Sequence, residues 1–225
     1  MGTLFVVATP IGNLGDITFR AIEALKSVEV IACEDTRVTA RLLARYEIKK
    51  PLVIFHAHNA RASGARILGL LSQGKNVALV TDAGTPGVSD PGNELVASVR
   101  HELPDARIEV IPGASALTAA LSIAGAPTST FIFLGFLPHK KGRKKLFEEI
   151  ANAPRPIVFY ESPHRILKTL STLADTLSPQ HTVTVARELT KIHESVVIGS
   201  AKEVEAHFIS ASQEVRGEFV LIITH

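Results

Sequence analysis

Residues 76–92 read NVALVTDAGTPGVSDPG. Asn76 to Val80 is an apolar run of strand length, and Thr81 to Gly92 packs three glycines, two prolines and two aspartates into twelve residues. A chain that only turns a corner needs one or two such residues. Glycine lets a ligand approach the backbone, and proline fixes the path without side-chain bulk. Asp90 is placed as an N-cap and Pro91 at a first helical position, so the stretch reads as strand, bare loop, helix. Open α/β sheets place their ligands at such strand ends.

Working outward, the first half repeats this pattern. Strands are expected at Leu4–Thr9, Val28–Cys33, Leu52–His56, Val77–Thr81 and Arg107–Ile111, separated by segments of helical periodicity such as Ile17, Ala21, Leu25 and Val28. Regular alternation of strand and helix predicts a mostly parallel sheet covered by helices. Other strand ends are equally bare. Ala8-Thr9-Pro10-Ile11-Gly12-Asn13 leads to Asp16 as a helix cap, and Pro112-Gly113-Ala114-Ser115-Ala116 follows the fifth strand.

After Gly125-Ala126-Pro127 the strands become denser: Thr130–Leu137, Ile157–Tyr160, Thr182–Ala186, Ser195–Ile198 and Glu218–Thr224. Thr182 to Gly199 leaves no room for a crossover helix, so its two strands are expected antiparallel. Helices are expected at Arg143–Ala151, Pro163–Leu177 and Ala201–Ser212. The expectation is an α/β protein of two α/β domains, residues 1–125 with a mostly parallel sheet and 126–225 with a mixed or antiparallel one. A length of 225 residues suits either one large core or two smaller ones.

Composition narrows the class. A 46% hydrophobic, 20% charged chain is ordinary for a globular protein. One cysteine, Cys33, excludes an internal disulfide and fits a reducing cytosol as a buried thiol. No apolar run approaches the ~20 residues that span a bilayer, and the N-terminus lacks a basic start, so a cytoplasmic protein without membrane contact is expected. A formal net charge of +2 permits a polyanionic partner without requiring one.

Common signatures fail. There is no G-x-G-x-x-G and no G-x-x-x-x-G-K-[ST]. Gly113-Ala114-Ser115 begins like a nucleophile elbow, but Leu117 stands where that motif needs glycine. His56-x-His58 offers two imidazoles with no third ligand near in sequence, so no metal is expected. Arg37, Arg41 and Arg45 share one helical face, either a solvated basic surface or a phosphate-tracking stripe. The cluster Lys140, Lys141, Arg143, Lys144 and Lys145 carries the same two readings.

Taken in order, ATPIGNLGDIT, ACEDTR, TDAGTPGVSDPG, VIPGASA, FYESPHRI, RELTKIHE and RGEFVLII resemble the ribosomal RNA small subunit methyltransferase I family, a branch of the tetrapyrrole methylase superfamily. The resemblance runs from Leu4 to Ile223. It implies a homodimer of two-domain subunits that uses S-adenosylmethionine, bound in the interdomain cleft, to methylate the ribose 2′-hydroxyl of a cytidine in small-subunit (16S) ribosomal RNA. A tetrapyrrole C-methyltransferase on the same fold is the alternative.

Carried onto this chain, the resemblance implies donor contacts from Pro10, from Asp82, Gly84, Thr85, Pro86, Val88 and Ser89, and from Pro112, Ser115 and Ala116. In the second domain Tyr160, Glu161 and Leu189 would complete that pocket. Ser115 replaces the superfamily's threonine and keeps the hydroxyl. Ala57 and Ala60 stand where relatives often carry acids, which removes acid–base roles there. Methyl transfer requires alignment of the acceptor oxygen and is helped by a general base. Glu34, Asp35, Glu161 and Glu188 are candidate bases, each equally able to cap a helix or pair with a cation. Arg37 and Arg187 could hold phosphates or pair with these acids.

Overall fold

The computed structural model describes residues 1–56 and 60–225. The chain forms two compact units, Met1–Ser115 and Ala116–His225. The sequence expectation placed the division after residue 125, which would assign helix α5 (Ala116–Ile123) to the first unit; its contacts group it with the second.

In the first unit five parallel strands, β1 (Thr3–Val7), β2 (Val30–Cys33), β3 (Leu52–Ile54), β4 (Val77–Leu79) and β5 (Arg107–Ile111), lie in the order β3-β2-β4-β1-β5. Helices α1 (Phe19–Ser27), α2 (Thr36–Arg45), α3 (Ala60–Ser72) and α4 (Gly92–Glu102) connect them. The steps to β2 and β3 move one way across the sheet; those to β4 and β5 move back. Right-handed crossovers then require the two helix pairs on opposite faces. Alternating strand residues confirm this layering. Val7, Ile31, Cys33 and Ala78 pack with α1 and α2, whereas Leu4, Ala32, Val77 and Leu79 pack with α3 and α4. The middle strand β4 is buried on both faces, as a parallel strand between helix layers must be.

Two caps differ from expectation by one step or more. Asp16 ends a short 3₁₀ turn, and Thr18 caps α1 instead, its hydroxyl accepting the Ala21 N–H at 3.1 Å. Pro91 takes the N-cap position of α4, with Asp90 just outside it.

The second unit has strands β6 (Ile132–Phe136), β7 (Ile157–Glu161), β8 (Thr182–Arg187), β9 (Ser195–Gly199) and β10 (Phe219–Thr224), in the order β6-β7-β10-β8-β9. Only β6 and β7 pair in parallel; β8 and β9 form the expected antiparallel pair. Helices α6 (Arg143–Ala151), α7 (Ile166–Thr176) and α8 (Ala201–Ser210) cover one face. There Phe147, Phe159, Phe208 and Phe219 are almost wholly buried among aliphatic side chains. Each such side chain contributes about 1.5–3 kcal/mol of transfer free energy. On the other face Tyr160 meets the Leu117 backbone of α5.

Candidate active site

The adjacent strands β1 and β4 send their chains to opposite helix layers, which leaves a crevice at their carboxyl ends. Three bare loops meet there. Thr9 and Gly84 exchange backbone hydrogen bonds of 2.9 and 3.1 Å, and the Thr9 hydroxyl donates to Thr81 O at 3.0 Å. The Thr85 hydroxyl donates to Ala114 O at 3.2 Å, tying the loop after β4 to the loop after β5. Ala8 N–H reaches Ile111 O at 3.1 Å, so the loop after β1 is held from both sides.

Gly84 has φ +87°, in the left-handed region that favours glycine. A Cβ there would lie 3.4 Å from Ile11 Cγ2 and 3.7 Å from Ala114 O. Further along, the Asp90 carboxylate accepts Gly87 N–H at 2.9 Å and Gly92 N–H at 2.7 Å. That clip closes the loop on itself and leaves Val88 and Ser89 exposed at its tip. Pro10 and Pro86 are buried as supports, while Ala83, Pro112 and Gly113 stay exposed. The result is a shelf of small residues and main chain. It suits a ligand read by backbone groups.

Beside the shelf lie the acids of β2 and β4. Asp82 accepts the Asp35 N–H at 3.0 Å, and the Thr81 hydroxyl donates to Glu34 at 3.4 Å. Burial, and then the charges of Asp82 and Asp90, push the Glu34 carboxyl above its ordinary value; Thr81 and His56 offset this only partly. Burial likewise raises Asp82, helped by Asp35. Asp35 goes the other way, to about 2, because the Arg37 guanidinium and backbone N–H bond it. Burial also raises the thiol of Cys33, which is fully enclosed as expected.

Each of the other sequence candidates has its own surroundings. Glu161 is fully enclosed: its carboxylate accepts Ser162 N–H at 2.9 Å and the Thr169 hydroxyl at 2.6 Å, and pairs with Arg165 at 3.1 Å and Arg143 at 3.4 Å. Of the readings open to Glu161 this is the pairing with cations, and it turns Arg143 inward, away from the exposed Lys140, Lys141, Lys144 and Lys145. Burial works to raise Glu188, but the Lys191 ammonium at 2.7 Å and the Glu218 N–H at 3.0 Å outweigh it and hold the carboxyl below its ordinary value. Glu188 and Thr190 adopt φ +51° and +67° around the buried Leu189. The buried Arg187 donates to Arg216 O and His193 O. Arg41 and Arg45 are exposed on α2, while Arg37 pairs with Asp35 at 2.6 Å. Ser115 closes the first unit and Ala116 opens α5. His58 and Ala57 lie outside the described residues, among which no metal-holding group of side chains occurs.

A family model described as Tetrapyrrole (Corrin/Porphyrin) Methylases matches residues 3–205. Ribosomal RNA small subunit methyltransferase I of Synechocystis sp. is 48% identical over 226 residues, covering 99% of this chain and 79% of its own. Its namesake in Thermotoga maritima is 43% identical over 224 residues, covering 100% of this chain and 99% of its own. A solved structure of uroporphyrin-III C-methyl transferase from Thermus thermophilus, complexed with S-adenyl homocysteine, superposes with a TM-score of 0.66 at 18% identity, covering 100% of this chain and 98% of that one. Fold and family model together define the class, a tetrapyrrole methylase. Within that class the chain belongs to the ribosomal RNA small subunit methyltransferase I family.

Proposed function

We propose that this chain transfers a methyl group from S-adenosylmethionine to the ribose 2′-oxygen of a cytidine in small-subunit (16S) ribosomal RNA. The observation that carries the reading is the end-to-end match to the Thermotoga maritima relative of that name, 43% identical with 99% of its length covered. The shelf tied together by Thr9, Gly84 and Ala114 supports the donor, because its exposed residues Ala83, Pro112 and Gly113 are small and let a ligand lie close to the main chain. The Thermus thermophilus neighbour, whose fold this chain shares, carries the demethylated form of that donor.

When bound, S-adenosylmethionine supplies a methyl group on a sulfonium, which needs no metal. The backbone around Gly84 and Ala114 would hold and orient it, with Pro10, Thr85, Pro86, Pro112 and Ser115 shaping the shelf. Proton removal from the acceptor hydroxyl falls to Glu34. Asp35 is bonded to Arg37, Glu188 to Lys191, and Glu161 to two arginines. Those cations hold the Asp35 and Glu188 carboxyls low, whereas burial raises that of Glu34, and Thr81 links Glu34 to the shelf through bonds to both Glu34 and Thr9. Arg41, Arg45 and the exposed lysines would meet phosphates.

The protein would work in the cytoplasm as a homodimer. Exposed Val196 and Ile198 on the edge strand β9 supply apolar surface for that contact, and sedimentation velocity reads the mass. The deciding experiment incubates small ribosomal subunits with methyl-labelled donor and maps ribose methylation. One labelled cytidine 2′-oxygen is expected. Absence of label in RNA, with label in a tetrapyrrole offered in parallel, would replace the reading by the macrocycle alternative.

A further inference from the structure

The strand β6 carries an irregularity beside Tyr160. It pairs with β7 as Ile132↔Ile157 and Phe133↔Val158, then resumes at Phe136↔Tyr160. Three steps along β6 therefore match two along β7, and within the irregular stretch Gly135 adopts φ +61°. Without the bulge Phe136 would alternate onto the face of Leu134, which packs against the helix-covered core. With it, Phe136 joins Phe133 against Tyr160, at centroid distances of 5.4 and 5.0 Å, edge to face. Bulges re-aim side chains. This one turns a phenyl ring outward to 57% exposure.

The chain after Phe136 is fixed and cationic. Arg165 donates to Leu137 O at 2.6 Å and Arg143 to Pro138 O at 3.0 Å, and both guanidiniums are backed by buried Glu161. Lys140, Lys141, Lys144 and Lys145 follow, all exposed. The first turn of α6 holds Arg143, Lys144 and Lys145 with no acid. Arg143 is engaged by Glu161 and Lys145 pairs with Glu149 at 3.7 Å, but the helix dipole disfavours cations at that end and does not account for Lys144.

An exposed ring followed, after a pinned turn, by a run of exposed cations is a combination that binds single-stranded nucleic acid: rings take base faces and cations take phosphates. We propose that Phe136 is a stacking platform for an unpaired base of the RNA, with Lys140 and Lys141 on the flanking phosphates. The inference rests on the functional reading above and specifies one subsite of it.

The chain has no tryptophan, so Phe136→Trp installs a single fluorescent reporter in the platform. Titration with a single-stranded oligoribonucleotide should quench its emission, and a duplex of the same sequence should quench it far less. Phe136→Ala should weaken single-strand affinity by about 5- to 150-fold, whereas Phe136→Tyr should keep it. Melting followed by circular dichroism checks that each variant is folded. Equal binding by wild type and Phe136→Ala, or an unquenched tryptophan at saturating RNA, would overturn the inference. So would a changed sedimentation coefficient for Phe136→Ala at unchanged RNA affinity, which would assign the ring to a contact between two copies. Failure of the wild-type chain itself to bind or methylate RNA is a separate result, and removes the functional reading together with this subsite.

Discussion

Gly84 sits where three loops meet, and its backbone conformation leaves little choice of residue. Forcing a Cβ onto φ +87° costs about 1–2 kcal/mol. Gly84→Ala should therefore lower stability to urea by about that amount, and should weaken donor binding in isothermal titration, because relief of the strain shifts the loops that meet at the shelf. Glu34 has a different role in the proposed reaction. Glu34→Gln should cut kcat by about 10²–10⁴ with donor affinity unchanged. A raised carboxyl is still protonated where an ordinary one has ionised. Wild-type kcat/KM should thus rise with pH through a midpoint above the usual carboxylate range, and Glu34→Gln should lose that rise. The same sign makes ionised Glu34 unfavourable to the fold, so its folding cost appears only as pH climbs past the ordinary carboxylate value. From sequence, four carboxylates compete for this role. Their partners decide, and Thr81 and Asp82 lie 47 residues from the acids they touch. Sequence proximity does not reveal such pairings.

Within single elements, caps and clamps set stability. Asp35 caps α2 through the Arg37 N–H at 2.8 Å and pairs with the Arg37 side chain. Its depressed carboxyl contributes stability that is complete above the unfolded carboxylate value and is lost as pH falls toward about 2. Asp35→Asn should keep the cap but flatten the fall in Tm over that acid limb, as scanning calorimetry at successive pH values would show. In the second unit Glu161 joins the ends of β6 and β7 to α6 and α7. Glu161→Ala strands two inward-facing guanidiniums, and should cost about 3–5 kcal/mol in urea unfolding. Glu161→Gln, which can still accept hydrogen bonds, should cost less. Most of these elements were legible in the sequence: α6 spans Arg143–Ala151 as the periodicity predicts, and the ten strands lie within a few residues of their expected places. The bulge in β6 leaves one mark in the sequence, Gly135 within an otherwise apolar run, and only the pairing with β7 shows where the extra residue lies.

For the molecule as a whole, apolar and small residues in strand-like runs predict two α/β units, but not the strand order β3-β2-β4-β1-β5, which depends on crossovers between distant segments. A near-neutral formal charge of +2 also hides the local cations, since clustering on one loop leaves the total unchanged. If Lys140 and Lys141 meet phosphates, binding to single-stranded RNA should weaken as salt rises. Lys140→Gln with Lys141→Gln should then reduce the slope of log affinity against log salt by about 1.4. An unchanged slope, measured by fluorescence anisotropy across a salt series, would place those lysines off the RNA path.

The proposed donor shelf is built from main chain and small residues, whereas Phe136 and the lysines would act through their side chains. A substitution can remove a ring or a charge at one stroke, but it cannot rewrite a backbone bridge such as Thr9–Gly84 without disturbing three loops together. If the proposed sites hold, selection can change the acceptor side more readily than the donor side. A scaffold divided in this way can serve ribosomal RNA in one lineage and a tetrapyrrole ring in another.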